Sequence, residues 1–272
     1  MEINLPKQQP IFTGSIPKHY DKYQGPMFFE AYAIEIANRI DPSNIQTVLE
    51  LSCGTGRVTN HIRKKLLPPS RFIASDLSPD MLEVAKEKLK DLKIEWQIID
   101  FTQIPFTNNS LDSVVCSFGY MFAENKSRAF QESLRVLRPG GTLLFSTWDK
   151  LEFNEASYVL RKEVKKYFGD SLPDTYQLPF SMNDPEVIRE LLLRAGFSKV
   201  KVEVIEKQST CESATKATYG LVQGGPLYNE IIKRNPDWLP EISAAVEKEL
   251  SEKYGVAPMV APMRALISQA WK

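Results

Sequence analysis

The chain has 272 residues, and its 34 basic side chains are balanced by 34 acidic ones. It is long enough to bury a substantial core, but it has no net positive field to draw in nucleic acid or an anionic membrane. Its three cysteines, Cys53, Cys116 and Cys211, are widely spaced without a CxxC pair. That argues against a disulfide framework and a zinc site, and points to a reducing cytoplasm. Residues 1–10 lack an apolar stretch of signal-peptide length, and no later run approaches the roughly 20 apolar residues of a membrane span. A soluble, unprocessed, metal-free protein that acts on a small molecule or a local protein is expected.

The segment up to Ile40 carries Tyr20, Tyr23, Phe28, Phe29 and Tyr32 ahead of the first strand and is expected to lie outside the core, as part of a cap. Residues 47–51 form a short apolar strand that ends in a glycine turn, after which Val58, Ile62 and Leu66 recur at helical spacing. A second strand at 71–75 is followed by Ser78 and Pro79, a strong helix start, with Leu82, Ala85 and Leu89 on one face. Further strands follow at 94–99 and 113–118, a helix ends over 130–137, and a fifth strand at 142–148 leaves the Pro139-Gly140-Gly141 turn. Such alternation requires a mainly parallel sheet. Helices are predicted over 155–168 and 185–195, the latter ended by Gly196, before a period-two run at 199–207. After Thr210 the chain is helical and turn-rich, with Gly224-Gly225-Pro226, Asn235-Pro236 and Ala257-Pro258, until a last strand at 261–271. The expectation is one domain over 1–272: an N-terminal cap segment at 1–40, a core at 41–210, a cap insertion at 211–258 and the last strand at 259–272.

Glycines at the end of a first strand let backbone pass close to a ligand, and the next helix start offers free amides to an anion. Gly54 and Gly56 suit that task, although such a turn often serves packing alone. Asp76, about 20 positions further on, stands where this kind of fold accepts two hydrogen bonds from a ribose diol, or else it merely precedes a helix. Together they favour an adenosine-type cofactor. Thr59 occupies the place of the third glycine of a dinucleotide fingerprint, which disfavours NAD. Glu50 and Asp100 add carboxylates at the ends of the first and third strands, where a cationic amino group and an adenine amine can be received.

These residues resemble a class I S-adenosylmethionine-dependent methyltransferase, similar to the ubiquinone and menaquinone biosynthesis C-methyltransferases. The resemblance runs over 47–148. It rests on Val48-Leu49-Glu50-Leu51-Ser52-Cys53-Gly54-Thr55-Gly56, Ala74-Ser75-Asp76-Leu77-Ser78-Pro79-Asp80-Met81-Leu82, Ile99-Asp100-Phe101, Leu111-Asp112-Ser113-Val114-Val115-Cys116-Ser117 and Arg135-Val136-Leu137-Arg138-Pro139-Gly140-Gly141. It implies an α/β fold: a Rossmann-like, seven-stranded, mostly parallel sheet of order 3-2-1-4-5-7-6, its last strand antiparallel, with a helical cap. It also implies S-adenosyl-L-methionine as cofactor. The glycine turn would approach the methionine part, Asp76 the ribose, Leu77 the adenine face, and Asp100 with Phe101 the adenine edge; Met81 and Ser117 belong to the same cofactor-binding set. Ser52 departs from the pattern by standing where glycine is usual, and its hydroxyl can bond the amino-acid end of the cofactor.

Methyl transfer from a sulfonium is an in-line displacement, so alignment and exclusion of water are the main tasks, and a base is needed only for an acceptor that must lose a proton. No catalytic side chain is singled out: His19 and His61 read as surface or packing residues, and Cys53 as a small space-filler. Tyr20 and Tyr23 can sit over the sulfonium or close the cofactor site, as aromatic faces attract cations. Phe118, Tyr120, Phe122 and Trp148 follow the fourth and fifth strands, where an acceptor pocket should open, with Tyr219, Tyr228 and Trp238 as candidates from the insertion. The rival readings are a nucleotide-dependent oxidoreductase on a related fold and a non-catalytic cofactor-binding module. Neither the acceptor nor the oligomeric state follows from the residues.

Overall fold

A computed structural model describes residues 12–173 and 176–272. Helix α1 (Ile16–His19) runs directly into a π-helix (Tyr20–Phe29) and then α2 (Glu30–Asn38). The alternating part follows as β1 (Thr47–Leu51), α3 (Arg57–Lys65), β2 (Arg71–Asp76), α4 (Pro79–Lys88), β3 (Glu95–Ile98), β4 (Leu111–Ser117), α5 (Lys126–Val136) and β5 (Leu137–Trp148). The rest comprises α6 (Glu155–Phe168), α7 (Pro185–Ala195), β6 (Lys199–Cys211), α8 (Ala214–Gln223), α9 (Leu227–Arg234), α10 (Trp238–Tyr254) and β7 (Met259–Trp271). One seven-stranded sheet results, in the expected order β3-β2-β1-β4-β5-β7-β6. β1 lies parallel to β2 and β4, β2 to β3 and β4 to β5, whereas β7 is antiparallel to both β5 and β6.

Local chemistry sets the helix ends. Ser78 Oγ accepts the Met81 amide at 3.3 Å with Pro79 at the first helical position, and Asp184 accepts the amides of Glu186 and Val187 in the same way. Gly196, at φ +107, ends α7 in the left-handed conformation.

Three features differ from the sequence reading. The third strand stops at Ile98, and Asp100 lies in the turn beyond, its Oδ1 accepting from Thr102 N and Oγ1 at 2.8 and 2.7 Å. That local bond competes with further pairing. β6 runs on to Cys211 and pairs there with β7, which begins at Met259 where the last-strand segment was expected, so the two continue past the Trp148–Ala265 pair as a ribbon. Gln208, Ser209 and Thr210 hide this from a hydrophobic pattern, since ladder bonds need only backbone. Finally, the N-terminal segment is not outside the core. Tyr32, Ala33 and Ile36 of α2 are fully buried and continuous with Val48, Leu49 and Val114 of the sheet. A sheet face must be covered, and α2 covers this one.

Candidate active site

Because β1, β2, β4 and β5 are parallel, Leu51, Asp76, Ser117 and Trp148 end on one edge of the sheet. There the Asp76 carboxylate straps two turns together: Gly54 N donates to Oδ2 at 2.8 Å and Ser78 N to Oδ1 at 2.9 Å. Each oxygen keeps a second lone pair for a ligand hydroxyl. Burial pushes the Asp76 carboxyl up, and the amides of Ser78, Gly54 and Leu77 pull it back.

The two glycines of the turn do different work. Gly54 adopts φ +55, and a Cβ there would meet nothing within 4 Å, which leaves an open cradle beside Asp76. Gly56, at φ +79, would press a Cβ to 2.8 Å from Leu89 Cδ1 and 3.1 Å from Ala85 Cβ. Its glycine closes α3 onto α4, so packing sets a demand at Gly56 that Gly54 does not carry. Alanine at either position incurs about 1–2 kcal/mol of left-handed strain. Gly56→Ala should therefore be the less stable variant in urea melts, by a further ~1 kcal/mol or more from overpacking. Gly54→Ala should be the one that loses affinity for S-adenosylhomocysteine by calorimetry. Equal affinity losses in the two variants would refute this division.

Ser52 is also left-handed, at φ +52, so serine takes the conformation for which glycine is usual. Gly119, which the sequence did not single out, explains how it fits. A Cβ on Gly119 would lie 2.6 Å from Ser52 Oγ and 2.5 Å from Cys116 Sγ. Only contact across the sheet edge reveals this, because Gly119 itself has an ordinary negative φ.

Glu50 is 1% exposed, and its Oε2 has no hydrogen-bond partner. Burial pushes its carboxyl up to about 8; the Thr59 hydroxyl offsets part of the rise, and the charge of Asp76 adds to it. An orphaned buried carboxylate oxygen beside an open glycine cradle fits a cationic amino group. Thr59 is itself fully buried. Burial also pushes the Cys53 thiol well up, which makes it inert. Leu77 is half-buried beside Asp76, and Met81 is buried in the first turn of α4. Phe101 packs inward at 5.5 Å from the Tyr120 ring, while Ser117 Oγ meets Ser146 Oγ at 3.0 Å.

The N-terminal helices roof this edge. Asp21 accepts from Thr55 Oγ1 at 2.7 Å and pairs with Lys88, and Arg57 donates to the Asp21 carbonyl at 3.0 Å and pairs with Glu30. His61 Nε2 meets the same Glu30 at 2.7 Å. Ser78 Oγ donates to the Phe12 carbonyl at 3.1 Å. In an α-helix of 3.6 residues per turn, nine steps make two and a half turns and would set Tyr20 and Phe29 on opposite faces. The wider π winding brings their rings to 5.1 Å instead. Tyr20 thus faces inward, its hydroxyl pushed up by burial and by the charges of Asp76 and Asp21 against the pull of Arg57. Tyr23 does not join it. Its ring lies 6.0 Å from that of His19 and 6.1 Å from that of Tyr219, outside the cavity lining that Tyr20 joins.

Beneath the roof lies a cavity of about 170 Å³. Tyr20, Gln24, Phe28 and Phe29 of the π-helix line it with Phe118, Phe122 and Trp148 from the strand ends. Tyr176 and Phe180 close a further side, and Leu221, Pro226 and Leu227 come from the insertion. Phe118, at φ +54, stacks on Trp148 at 4.1 Å. Of the four aromatic residues expected here, Tyr120 is the exception: it is fully buried with its hydroxyl 2.6 Å from Ser133 Oγ. The insertion contributes aliphatic rather than aromatic contacts. Trp238 packs on Tyr167 and Phe168, and Tyr219 is largely exposed.

A family model described as a methyltransferase domain matches residues 49–145. The chain is 26% identical over 221 residues to a ubiquinone/menaquinone biosynthesis C-methyltransferase of Hydrogenovibrio crunogenus, a match covering 74% of this chain and 85% of the relative. It is 30% identical over 172 residues to the protein of that name in Pseudomonas aeruginosa, covering 56% and 65%. In fold it is similar to phosphoethanolamine N-methyltransferase 2 of Haemonchus contortus in complex with S-adenosyl-L-methionine, with a TM-score of 0.59 at 18% identity over 96% of this chain and 57% of the other. None of these matches favours an oxidoreductase. Among the described residues no helix is long and apolar enough to cross a membrane.

Proposed function

Given that the chain is a class I S-adenosylmethionine-dependent methyltransferase, we propose that its acceptor is a small, largely apolar molecule held in the aromatic cavity for in-line displacement. Glu50, Ser52, Gly54, Asp76 and Asp100 would hold S-adenosyl-L-methionine, with Leu77 against the adenine. Bound there, the cofactor supplies an electrophilic methyl group on a sulfonium. The observation that carries the reading is continuity between the two places. Phe118 lines the cavity while its neighbour Gly119 abuts Ser52, and Tyr20 lines the cavity within the field of Asp76.

What the chain's own residues do follows from their character. The stacked Phe118–Trp148 pair and the rings of Phe28 and Phe29 exclude water and orient a flat acceptor. Among the described residues lining the cavity, the ionisable groups are Tyr20 and Tyr176, and burial pushes both hydroxyls up. They donate hydrogen bonds at neutral pH rather than take protons. This supports an acceptor that reaches the cavity already nucleophilic.

The test has two stages. S-adenosylmethionine and S-adenosylhomocysteine should each raise the melting temperature while NAD does not, because a ligand of the native state alone stabilises it. Protein incubated with methyl-deuterated cofactor and a cell extract should then place the label on a compound of the apolar small-molecule fraction, read by mass spectrometry. Label found on protein or nucleic acid would sink the acceptor assignment.

A further inference from the structure

The Gly224-Gly225-Pro226 turn has a partner that the cofactor site does not use. Gly220 and Gly224 lie one turn apart on α8 and face the π-helix. A Cβ on Gly220 would stand 3.0 Å from Tyr23 Cβ, and one on Gly224 would stand 2.8 Å from Gln24 Nε2 and 3.0 Å from Gln24 Cγ. Gly220 thus lets the backbone at Tyr23 approach, and Gly224 leaves room for the side chain of Gln24, whose Nε2 donates to the Gly220 carbonyl at 2.8 Å. Only the amide nitrogen can donate to a carbonyl, so this bond also fixes which end of the Gln24 amide is the oxygen. Gln24 lines the cavity, and among the described residues no donor meets its Oε1. Asn154, another amide in the lining, is already committed: its Nδ2 donates to the carbonyls of Asp149, Lys150 and Arg264, and its Oδ1 accepts the Arg264 amide.

We infer that Gln24 is a specificity-determining residue, whose immobilised Oε1 accepts a hydrogen bond from a hydroxyl or N–H group on an otherwise flat, apolar acceptor. The inference rests on the reading of the cavity as the acceptor site. A pocket of aromatic walls recognises shape but discriminates weakly among isosteres, whereas a fixed acceptor left unpaired penalises a ligand that brings no donor. Tyr20, one turn earlier on the π-helix, lines the same cavity.

The experiment uses the full chain loaded with S-adenosylhomocysteine, with loading first confirmed by calorimetry. Failure at that step would count against the methyltransferase site itself and is read before any acceptor probe is added. The loaded protein is then titrated by fluorescence with 2-naphthol, which donates, and 2-methoxynaphthalene, which only accepts. Naphthol should bind about tenfold more tightly to the wild-type protein. In Gln24→Met that ratio should fall to within about twofold, with the methoxy probe held as tightly as before. Equal binding of both probes to the wild-type protein, binding of neither, or a tenfold preference that survives in Gln24→Met overturns the assignment. The wild-type comparison stands even if the variant does not fold.

Discussion

Asp76→Ala should lower the affinity for S-adenosylhomocysteine by about 100-fold while the protein stays folded. In the proposed cofactor site the carboxylate would accept two hydroxyls of a ribose, and charge-assisted hydrogen bonds contribute roughly 1.5–3 kcal/mol each. It also holds the Gly54 and Ser78 amides at 2.8 and 2.9 Å, so its removal loosens the cradle as well as the contact. Calorimetry of the variant, with circular dichroism to establish folding, makes the measurement. A loss of less than tenfold in a folded variant would remove Asp76 from the site.

The second large effect is a pH dependence of binding that runs against that of stability. Glu50, buried and pushed up to about 8, is protonated in the free protein at neutral pH. A cationic amino group placed beside it favours the carboxylate, so binding releases a proton. Affinity for S-adenosylmethionine should therefore climb with pH, approaching tenfold per unit below about 8, and level off above it, for roughly 50-fold between pH 6 and 8. Stability has the opposite sign. The folded state holds this proton between about 4.5 and about 8 while the unfolded state does not, so the contribution of Glu50 to stability falls as pH rises through that window. Glu50→Gln should flatten both curves. Titrations in buffers of different ionisation enthalpy count the proton directly, and a wild-type affinity independent of pH would exclude the pairing.

The sheet was legible in the sequence because alternation of apolar runs with amphipathic ones is a local signal. The placing of Glu50, Gly54 and Asp76 at one edge of the sheet was legible because each stands at or just beyond the end of a strand. What escaped depends on contacts between distant segments. The packing of Gly56 against Leu89 and Ala85 has no local signature. Gly119 and Gln24 carry no local signature; their meaning comes from Ser52 in one case and from Gly220 and Gly224 in the other. Tyr20 and Tyr23 look equivalent on paper, yet the π winding turns one inward and the other toward Tyr219. A reading that assumes 3.6 residues per turn has no means to separate them.

The ribbon formed by β6 and β7 returns the chain to the sheet at the point where the helices it carries left it. Cys211 and Met259 are paired neighbours, so the excursion α8–α9–α10 leaves the sheet and re-enters it at the same rung of the ladder. A graft at that rung can lengthen, shorten or replace the excursion without shifting any strand below it, since register is set by the pairs from Thr210–Val260 downward. The closure entropy of such an excursion grows only slowly with its length. The side of the cavity built by Leu221, Pro226 and Leu227 can thus change in sequence and length while Glu50, Gly54 and Asp76 stay where the sheet holds them.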